Sequence, residues 1–316
     1  MDKRARIYVA GSQTLIGIAL LRHLHSQGYT VLISDPAGEN ALRDAKVVDA
    51  FFAEARPEYV FLTAGKSGGI RANQKYPADL MLDNLLVETH IINSAYRFGV
   101  VKLLYLASSC SYPRLATQPI SEDALFTGPL EPTNEAYAIA KIAGIKLCQA
   151  YNQQYGTRYI SAIPANAFGP DDDTDVEDAH VIPALMMRMI SAKALHLPSV
   201  DIWGTGAPQR EFIFVDDLAD ACEFVMHHYE ASQPINLGSG TTLSIRELAE
   251  QIRQIVGYTG ELCFDSSKPD GMPLKMLDSR RMLGLGWQAK TPFSEALRAT
   301  LHWVLSINTR GQVAYE

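Results

Sequence analysis

The segment Asn134-Glu135-Ala136-Tyr137-Ala138-Ile139-Ala140-Lys141 separates a tyrosine and a lysine by four residues. Residues 136–151 are rich in Ala, Ile, Leu and Lys, which predicts a helix that carries Tyr137 and Lys141 on one face. A tyrosine normally titrates near about pH 10, and a neighbouring ammonium favours the phenolate. We therefore expect this pair to pass a proton to a carbonyl oxygen at neutral pH.

The turn Ser108-Ser109-Cys110-Ser111-Tyr112-Pro113 precedes that segment and follows the apolar run Leu103-Leu104-Tyr105-Leu106. At the end of a strand, the Ser108 hydroxyl is placed to donate a second hydrogen bond to the same carbonyl oxygen. A tyrosine and a lysine at this spacing are, by themselves, typical of an ordinary helix surface. Their position after a strand that ends in Ser108 favours the catalytic interpretation.

Short apolar runs alternate with helical patterns through the first half of the chain. The predicted strands are residues 6–10, 30–34, 59–62, 101–106 and 159–163, and the predicted helices are residues 15–27, 45–56, 80–98 and 135–155. Strands that alternate with helices at short spacing predict an α/β fold with a Rossmann-like, doubly wound parallel sheet.

The regular alternation of strands and helices ends after the fifth strand, which predicts a second, smaller α/β domain for the substrate. Its predicted elements include two short strands around a turn, at 200–206 and 209–214, and two helices, at 244–256 and 292–307. A capping box of Ser244 and Glu247 begins the first of these helices. A helix at 215–228 and a further strand at 234–238 return the chain to the sheet. We therefore expect residues 1–169 plus about 212–239 to bind a dinucleotide, and residues 170–211 plus about 240–316 to form the substrate domain, with the substrate in the cleft between them.

Composition excludes several classes of protein. The chain has 316 residues, 47% of them hydrophobic, and a formal charge of −7, which argues against a basic nucleic-acid binder. No apolar run approaches the length of a membrane span, and the basic start is not followed by a signal-peptide pattern. The chain has four cysteines without C-x-x-C spacing: Cys110, Cys148, Cys222 and Cys263. We therefore expect neither a zinc site nor disulfides, and a reducing cytoplasm fits best.

A strand, a glycine turn and a helix at the start of the chain predict a phosphate-binding site for a dinucleotide. Gly11 and Gly17 match the outer glycines of G-x-x-G-x-x-G, but Thr14 replaces the middle one. Asp35 follows the second predicted strand, where a carboxylate accepts hydrogen bonds from ribose hydroxyls and repels a 2′-phosphate. No Arg or Lys lies between positions 29 and 42, so this end favours NAD over NADP, although Asp35 could also belong to an ordinary turn.

His180 stands at the entry to a predicted helix, directly after an acidic run at residues 171–178. An acidic run is most simply a solvent-exposed loop, and a single histidine is more often structural than catalytic. On these residues alone, both interpretations of His180 stay open.

Together these motifs resemble a known family, the extended short-chain dehydrogenases that act on nucleotide sugars, and within it the enzymes that form GDP-L-fucose. The resemblance covers almost the whole chain. It depends on six groups of residues: 66–73, 108–113, 131–135 leading to Tyr137 and Lys141, 180–185, 203–206 with 210–212, and 267–271. Cys110 and His180 are the two positions most specific to this branch.

The resemblance implies a bifunctional enzyme that epimerises GDP-4-keto-6-deoxy-D-mannose at C3 and C5 and then reduces C4. It implies that Ser108, Tyr137 and Lys141 act on the ketone oxygen, and that Cys110 and His180 share the roles of acid and base. The substrate-binding residues that it implies are Arg188, Trp203, Arg210, Lys268 and Asp270. It also implies a homodimer formed by the helices at 80–98 and 135–155.

The cofactor that the resemblance implies is NADP(H). Its binding residues would be Gly11, Gln13, Thr14, Leu15, Ile16, Gly17, Asp35, Ala64, Asn84, Tyr137, Lys141 and Asn166. The family typically has a glycine at position 14 and basic residues where this chain has Gln13, Asp35 and Ala37, so we expect a preference for NAD(H) or weaker dinucleotide binding.

Other functions remain open at this point. The run Asp171-Asp172-Asp173-Thr174 departs from the usual pattern of the branch beside His180, so the sugar could be a different deoxy sugar or a heptose. A simple nucleotide-sugar 4-reductase or 4-epimerase would keep Ser108, Tyr137 and Lys141 without needing Cys110 or His180. A dinucleotide-sensing protein without turnover is a third alternative.

Overall fold

The computed structural model of the protein describes residues 1–35, 39–174 and 180–313, with only the backbone at residues 39 and 308–313. The expectations for Ala37 and for residues 175–178 of the acidic run therefore lie outside the described residues.

Twelve strands and ten α-helices make up the described part of the chain. The strands are β1 (Ile7–Ala10), β2 (Leu32–Ile33), β3 (Tyr59–Leu62), β4 (Lys102–Leu106), β5 (Tyr159–Pro164), β6 (Asn166–Phe168), β7 (Ser199–Trp203), β8 (Gln209–Phe214), β9 (Ile235–Leu237), β10 (Thr242–Ser244), β11 (Glu261–Asp265) and β12 (Leu274–Lys275). The helices are α1 (Leu15–Ser26), α2 (Ala45–Ala55), α3 (Ile70–Lys75), α4 (Pro77–Arg97), α5 (Glu135–Tyr155), α6 (Val181–Ala194), α7 (Val215–His228), α8 (Ile245–Val256), α9 (Arg280–Leu285) and α10 (Phe293–Val313).

A six-stranded sheet in the order β2-β1-β3-β4-β5-β9 forms the centre of the larger half, and every pairing in it is parallel. Helix α1 packs against α7, while α4 packs against α2 and α5. The predicted doubly wound parallel sheet is confirmed, and the segment predicted as a further strand supplies its sixth member. The strand order reverses at β1, so the crevice for a ligand opens at the carboxyl ends of β1 and β3.

The smaller half contains the other strands, arranged in two sheets. Strand β7 pairs with β11, whereas β8 pairs with β6, β10 and β12. The prediction of two strands around a turn at 200–214 is right about the strands, but β7 and β8 belong to different sheets. The capping box at Ser244 and Glu247 is present at the start of α8, as predicted.

Two separate hydrophobic cores underlie these halves. The first lies around the parallel sheet, and the second lies among α6, α8 and α10. Leu277, Met282 and Trp287 pack into the first core, although the sequence places them in the substrate domain. The domain division as a whole stays a prediction. Within the described ranges, every helix is too short or too polar to span a bilayer.

Candidate active site

Ser108, Tyr137 and Lys141 lie close together where β4 meets α5. Ser108 follows β4 and begins a short 3-10 helix, Ser109–Ser111. Its hydroxyl is hydrogen-bonded to the Tyr137 phenol, and the Lys141 ammonium lies 5.9 Å from the centre of the Tyr137 ring. The structure therefore brings together the three residues expected at a carbonyl oxygen.

The Tyr137 phenol differs from expectation in its protonation. Burial raises its pKa above the usual value, and this outweighs the opposing effects of Lys141 and the Ser108 hydrogen bond. Lys141 does favour the phenolate, as expected, but burial has the larger effect on this pKa. A neutral phenol is the form that donates a proton.

Lys141 has a buried partner that the sequence analysis missed. The Glu88 carboxylate of α4 accepts hydrogen bonds from the Lys141 ammonium at 2.9 Å and from the Tyr105 hydroxyl at 2.6 Å. The side chains of Glu88 and Lys141 are 1% and 6% exposed. The only available signal was a single Glu within an apolar helix pattern, which gives no indication of its partner.

Cys110 is part-buried, and hydrogen-bond donors surround its sulfur. The side-chain amide of Asn134 donates to Sγ at 3.2 Å, and Nζ of Lys275 lies 4.0 Å from Sγ. All four cysteines are free in the structure.

His180 is the residue immediately before α6, and its ring faces a carboxylate. Nδ1 lies 3.3 Å from Oδ1 of Asp172, whose side chain is 2% exposed. Removal from water lowers the pKa of His180, but the hydrogen bond and the charges of Asp172 and Asp173 raise it above its usual value. Lys275 interacts electrostatically with both His180 and Cys110, so the two predicted acid–base residues lie near the same ammonium.

The glycine turn between β1 and α1 explains why Thr14 is tolerated. Gly11 has φ +86°, and a Cβ there would lie 2.5 Å from the Ala64 amide nitrogen, while a Cβ on Gly17 would lie 1.9 Å from the Gly11 carbonyl. Thr14 has φ −80°, so no glycine is required there. Its hydroxyl donates to the Gly11 carbonyl at 2.8 Å and accepts from the Gly17 amide at 3.1 Å, which caps α1.

Asp35 holds the glycine turn through hydrogen bonds within the protein. Its carboxylate accepts from the Tyr8 hydroxyl at 2.7 Å, the Gly11 amide at 3.0 Å, and the amide and hydroxyl of Ser12 at 2.9 and 3.1 Å. Oδ2 accepts three of these four hydrogen bonds, whereas Oδ1 accepts only the one from Tyr8, so Oδ1 retains acceptor capacity. The expectation that Asp35 also accepts from a ribose hydroxyl stays a prediction.

The rest of the predicted cofactor set lies around this crevice. Asn84 donates to the Lys66 and Leu80 carbonyls at 2.9 and 2.6 Å, and its buried Oδ1 has no hydrogen-bond partner among the described residues. A Cβ on Gly65 would lie 2.3 Å from that oxygen. Gln13 is exposed, Leu15 and Ile16 are part-buried, Ala64 is buried behind Gly11, and Asn166 donates to the Glu211 carbonyl at 2.8 Å. A glycine-lined crevice at the strand-order reversal, with an unpaired buried acceptor at its wall, fits a dinucleotide.

The predicted substrate residues occupy two places. Arg210 donates to the Gln209 and Asp270 carbonyls at 2.9 and 3.1 Å, and the Asp270 carboxylate accepts from the amide and hydroxyl of Thr205 at 2.7 and 2.9 Å. These two hydrogen bonds from Thr205 to Asp270 stabilise the turn after β7. Lys268 lies 5.5 Å over the ring of Trp203, which is 43% exposed, and Arg188 is part-buried on α6.

This fold and this set of residues define an NAD(P)-dependent enzyme. The chain belongs to the NAD dependent epimerase/dehydratase family, whose model matches residues 7–238. It is 50% identical over 304 residues to GDP-L-fucose synthase 1 of Arabidopsis thaliana, covering 96% of this chain and 94% of the relative. The resemblance found in the motifs is confirmed.

Solved structures agree with this placement. A GDP-6-OMe-4-keto-L-xylo-heptose reductase from C. jejuni matches with a TM-score of 0.92 at 32% identity, covering 98% of this chain and 99% of the other. A GDP-L-fucose synthetase from Naegleria fowleri, bound to NADP, matches with a TM-score of 0.88 at 30% identity, covering 98% of this chain and 96% of the other.

Proposed function

We propose that this protein converts GDP-4-keto-6-deoxy-D-mannose, or a close analogue, to GDP-L-fucose by epimerising C3 and C5 and reducing C4. One observation carries the proposal. Cys110 and His180 both lie near the ammonium of Lys275, and Cys110 also interacts electrostatically with Tyr137, which is hydrogen-bonded to Ser108. A simple reductase needs the latter pair alone.

Epimerisation begins at the ketone oxygen. A C4 ketone acidifies the protons on C3 and C5, because the charge left by either proton spreads onto the oxygen as an enolate. The Ser108 and Tyr137 hydroxyls both donate hydrogen bonds to that oxygen. Donors that are already positioned stabilise the charge that develops there.

The charges around Cys110 and His180 support different roles for the two residues. The sulfur of Cys110 faces the Asn134 amide and the Lys275 ammonium, both of which stabilise a thiolate. His180 faces the Asp172 carboxylate, which stabilises an imidazolium. Cys110 is therefore the base that removes the proton from carbon, and His180 is the acid that returns one from the opposite face, leaving a thiol and a neutral imidazole.

Reduction uses the same phenol. When bound, the dinucleotide supplies the hydride for C4. Tyr137, held neutral by burial, gives its proton to the C4 oxygen, and the nearby Lys141 ammonium stabilises the phenolate that remains. Arg210 and Lys268 supply positive charge for the diphosphate.

We infer that NADH is the preferred cofactor. Asp35 carries a negative charge beside the glycine turn, and a carboxylate there repels a 2′-phosphate. Comparison of kcat/KM for NADH and NADPH tests this inference. A large preference for NADPH, the reduced form of the cofactor named for the Naegleria structure, would contradict it.

Solvent deuterium tests the bifunctional assignment. The protein should incorporate deuterium at C3 and C5 of the keto sugar, and Cys110→Ser should slow this exchange while affecting reduction of a pre-epimerised ketone less. A GDP-heptose C4 reductase is the second candidate, favoured by the TM-score of 0.92 to the C. jejuni enzyme. Ketone reduction without any exchange would select that alternative.

A further inference from the structure

A small cavity lies beside Gly65, in the loop that follows β3, and the function described above makes no use of it. Gly65 follows Ala64, whose amide is packed against Gly11 of the glycine turn. The other residues that line the cavity come from the connection between β2 and α2, from the loop after β3 and from α4: Asn40, Arg43, Lys66, Asp83 and Val87. The cavity therefore lies at the same edge of the sheet as the dinucleotide crevice.

Asp83 holds the two cations that border this cavity. Its side chain is 5% exposed, and its carboxylate lies 2.9 Å from Nε of Arg43 and 2.6 Å from Nζ of Lys66. The side chains of Arg43 and Lys66 are 42% and 48% exposed, so the carboxylate is enclosed while both cations reach solvent. Because Asp83 contacts Arg43 through Nε, this ion pair fixes the side chain without occupying the flat face of its guanidinium.

The course of a bound dinucleotide predicts what the cavity would hold. The reactive end of the cofactor belongs beside Tyr137, its pyrophosphate at the glycine turn, and its adenosine ribose beside Asp35. The adenine base is attached beyond that ribose, towards the connection that follows β2, and Arg43 is part of this connection. Val87 supplies an apolar side chain, Gly65 a wall without a side chain and Arg43 a planar cation, and together these suit a flat aromatic base.

A 2′-phosphate is the other group that two cations at this end could bind. Asp83 argues against it, because its carboxylate already faces both cations, and Asp35 adds a second negative charge at the same end. A phosphate would have to compete with Asp83 for Arg43 and Lys66, and this carboxylate is too buried for water to replace either partner. A base carries no charge, so it can contact the face of Arg43 while the ion pair stays intact. The arrangement therefore favours the base over the phosphate.

We propose that Arg43 binds the adenine base of the dinucleotide through the flat face of its guanidinium, and that Asp83 is the positioning residue that holds it there. Lys66 fixes the same carboxylate from the loop after β3. The proposal rests on the dinucleotide cofactor of the proposed function and on none of its steps at the sugar. It agrees with a preference for NADH, since it assigns no cation to a 2′-phosphate.

Binding of reduced dinucleotides in the absence of a sugar substrate tests this proposal. The fluorescence of the reduced nicotinamide reports the dissociation constants of NADH, of NADPH and of reduced nicotinamide mononucleotide, which lacks the adenosine. Arg43→Met should weaken NADH and NADPH by the same factor, about five- to tenfold, and leave the mononucleotide unchanged. Arg43→Lys should weaken both dinucleotides nearly as much, because lysine keeps the charge but has no flat face.

Two further variants separate the contact with the base from general effects. Arg253→Met removes an arginine that is matched to Arg43, since its side chain is 34% exposed and its Nε lies 2.9 Å from Glu250, and it should leave all three constants unchanged. Asp83→Asn should weaken NADH by about threefold, because Arg43 is then held less firmly before the base arrives. Thermal unfolding identifies any variant that fails to fold, and Arg43→Gln repeats the test in that case.

The outcomes separate this proposal from the proposed function. A loss confined to NADPH would assign Arg43 to the 2′-phosphate and overturn the proposal, as would unchanged dissociation constants for Arg43→Met. If the expected losses occur but the protein catalyses neither deuterium exchange nor ketone reduction, the proposed function fails and the contact with the base stands. If the parent protein turns over the keto sugar and NADH binding does not respond to Arg43→Met, the function stands and the contact fails.

Discussion

The buried carboxylate of Glu88 determines the surroundings of Lys141. It accepts from the Lys141 ammonium and from the Tyr105 hydroxyl, and its second oxygen has no hydrogen-bond partner among the described residues. Burial raises the pKa of Glu88, while Lys141 opposes that effect. The charged pair therefore depends on both partners being present, as expected for an ion pair removed from water.

Glu88→Gln should lower the free energy of unfolding by about 3 kcal/mol, because it removes the carboxylate charge that is hydrogen-bonded to the buried Lys141 ammonium. Urea denaturation followed by circular dichroism measures this loss. The matched control is Glu250→Gln, which removes an exposed carboxylate paired with Arg253 and should cost less than about 1 kcal/mol. Equal losses for the two variants would show that the buried pair contributes no more than the surface pair.

At the scale of elements, a polar network joins α1 to α7. The Glu223 carboxylate of α7 pairs with the His23 ring of α1 at 2.7 Å and accepts from the Tyr29 hydroxyl at 2.8 Å. Burial raises the pKa of Glu223, but these hydrogen bonds and the charges of His23 and Lys3 lower it to about 2. The ionised carboxylate thus stabilises the contact between the two helices.

This depressed pKa predicts how stability varies with pH. The folded pKa lies below the unfolded value of about 4.5, so the contribution is fully present above about pH 4.5 and is lost as the pH falls through about 2. Glu223→Gln should lower the free energy of unfolding by roughly 2 kcal/mol at pH 7, and this free energy should then vary less with pH in the same window. Urea denaturation at pH 7, 5 and 3 checks both effects, with Glu58→Gln, which removes a more exposed carboxylate paired with Arg6, as the control. An unchanged slope below pH 5 would contradict the assignment.

Regular elements were predictable where local patterns dominate. The bounds of β3 and α5 match the sequence prediction, because an apolar run and an Ala-rich helix pattern each carry their own signal. Strand β2 is shorter than predicted, since only Leu32 and Ile33 pair with β1. The sheet that each of β7 and β8 joins depends on partners far along the chain, which local periodicity does not contain.

The candidate site, like the fold, was predictable from the sequence only in part. The Tyr137 and Lys141 pair follows from helical spacing, and Ser108 follows from the strand end. The partners Glu88 and Lys275 come from distant segments, so no spacing reveals them. Asp172 is only eight residues before His180, but the sequence does not show which carboxylate of the acidic run faces the ring. The hydrogen bonds of Asp35 likewise depend on how the glycine turn folds back against it.

At the scale of the whole molecule, we propose that the protein is a homodimer in which α4 and α5 face the same helices of a second copy. These two helices pack together and leave large apolar side chains exposed: Leu82, Tyr96, Ile139 and Tyr155. Sedimentation velocity should give twice the chain mass of 34.8 kDa. Leu82→Glu combined with Ile139→Glu should give the monomer mass, whereas Leu115→Glu, exposed in a loop elsewhere, should not. A monomeric parent protein would contradict the proposal.

The nucleotide carried by the proposed substrate can be tested by its effect on the stability of the whole protein. We propose that Arg210 and Lys268 supply charge for a diphosphate, and Trp203 lies exposed beside Lys268, so binding should stabilise the folded state in proportion to occupancy. At about one hundred times its dissociation constant, GDP should add about 2.7 kcal/mol and raise Tm by about 5 °C. UDP, dTDP and CDP at the same concentration should raise Tm by less than about 2 °C.

Arg210→Met should lose most of the GDP response relative to its own baseline, whereas Arg158→Met, which removes an exposed partner of Glu230, should keep it. Equal responses to all four nucleotides would remove GDP from the proposed substrate while leaving the reaction at the sugar intact, because the groups that act on the ketone are separate from those that bind the diphosphate.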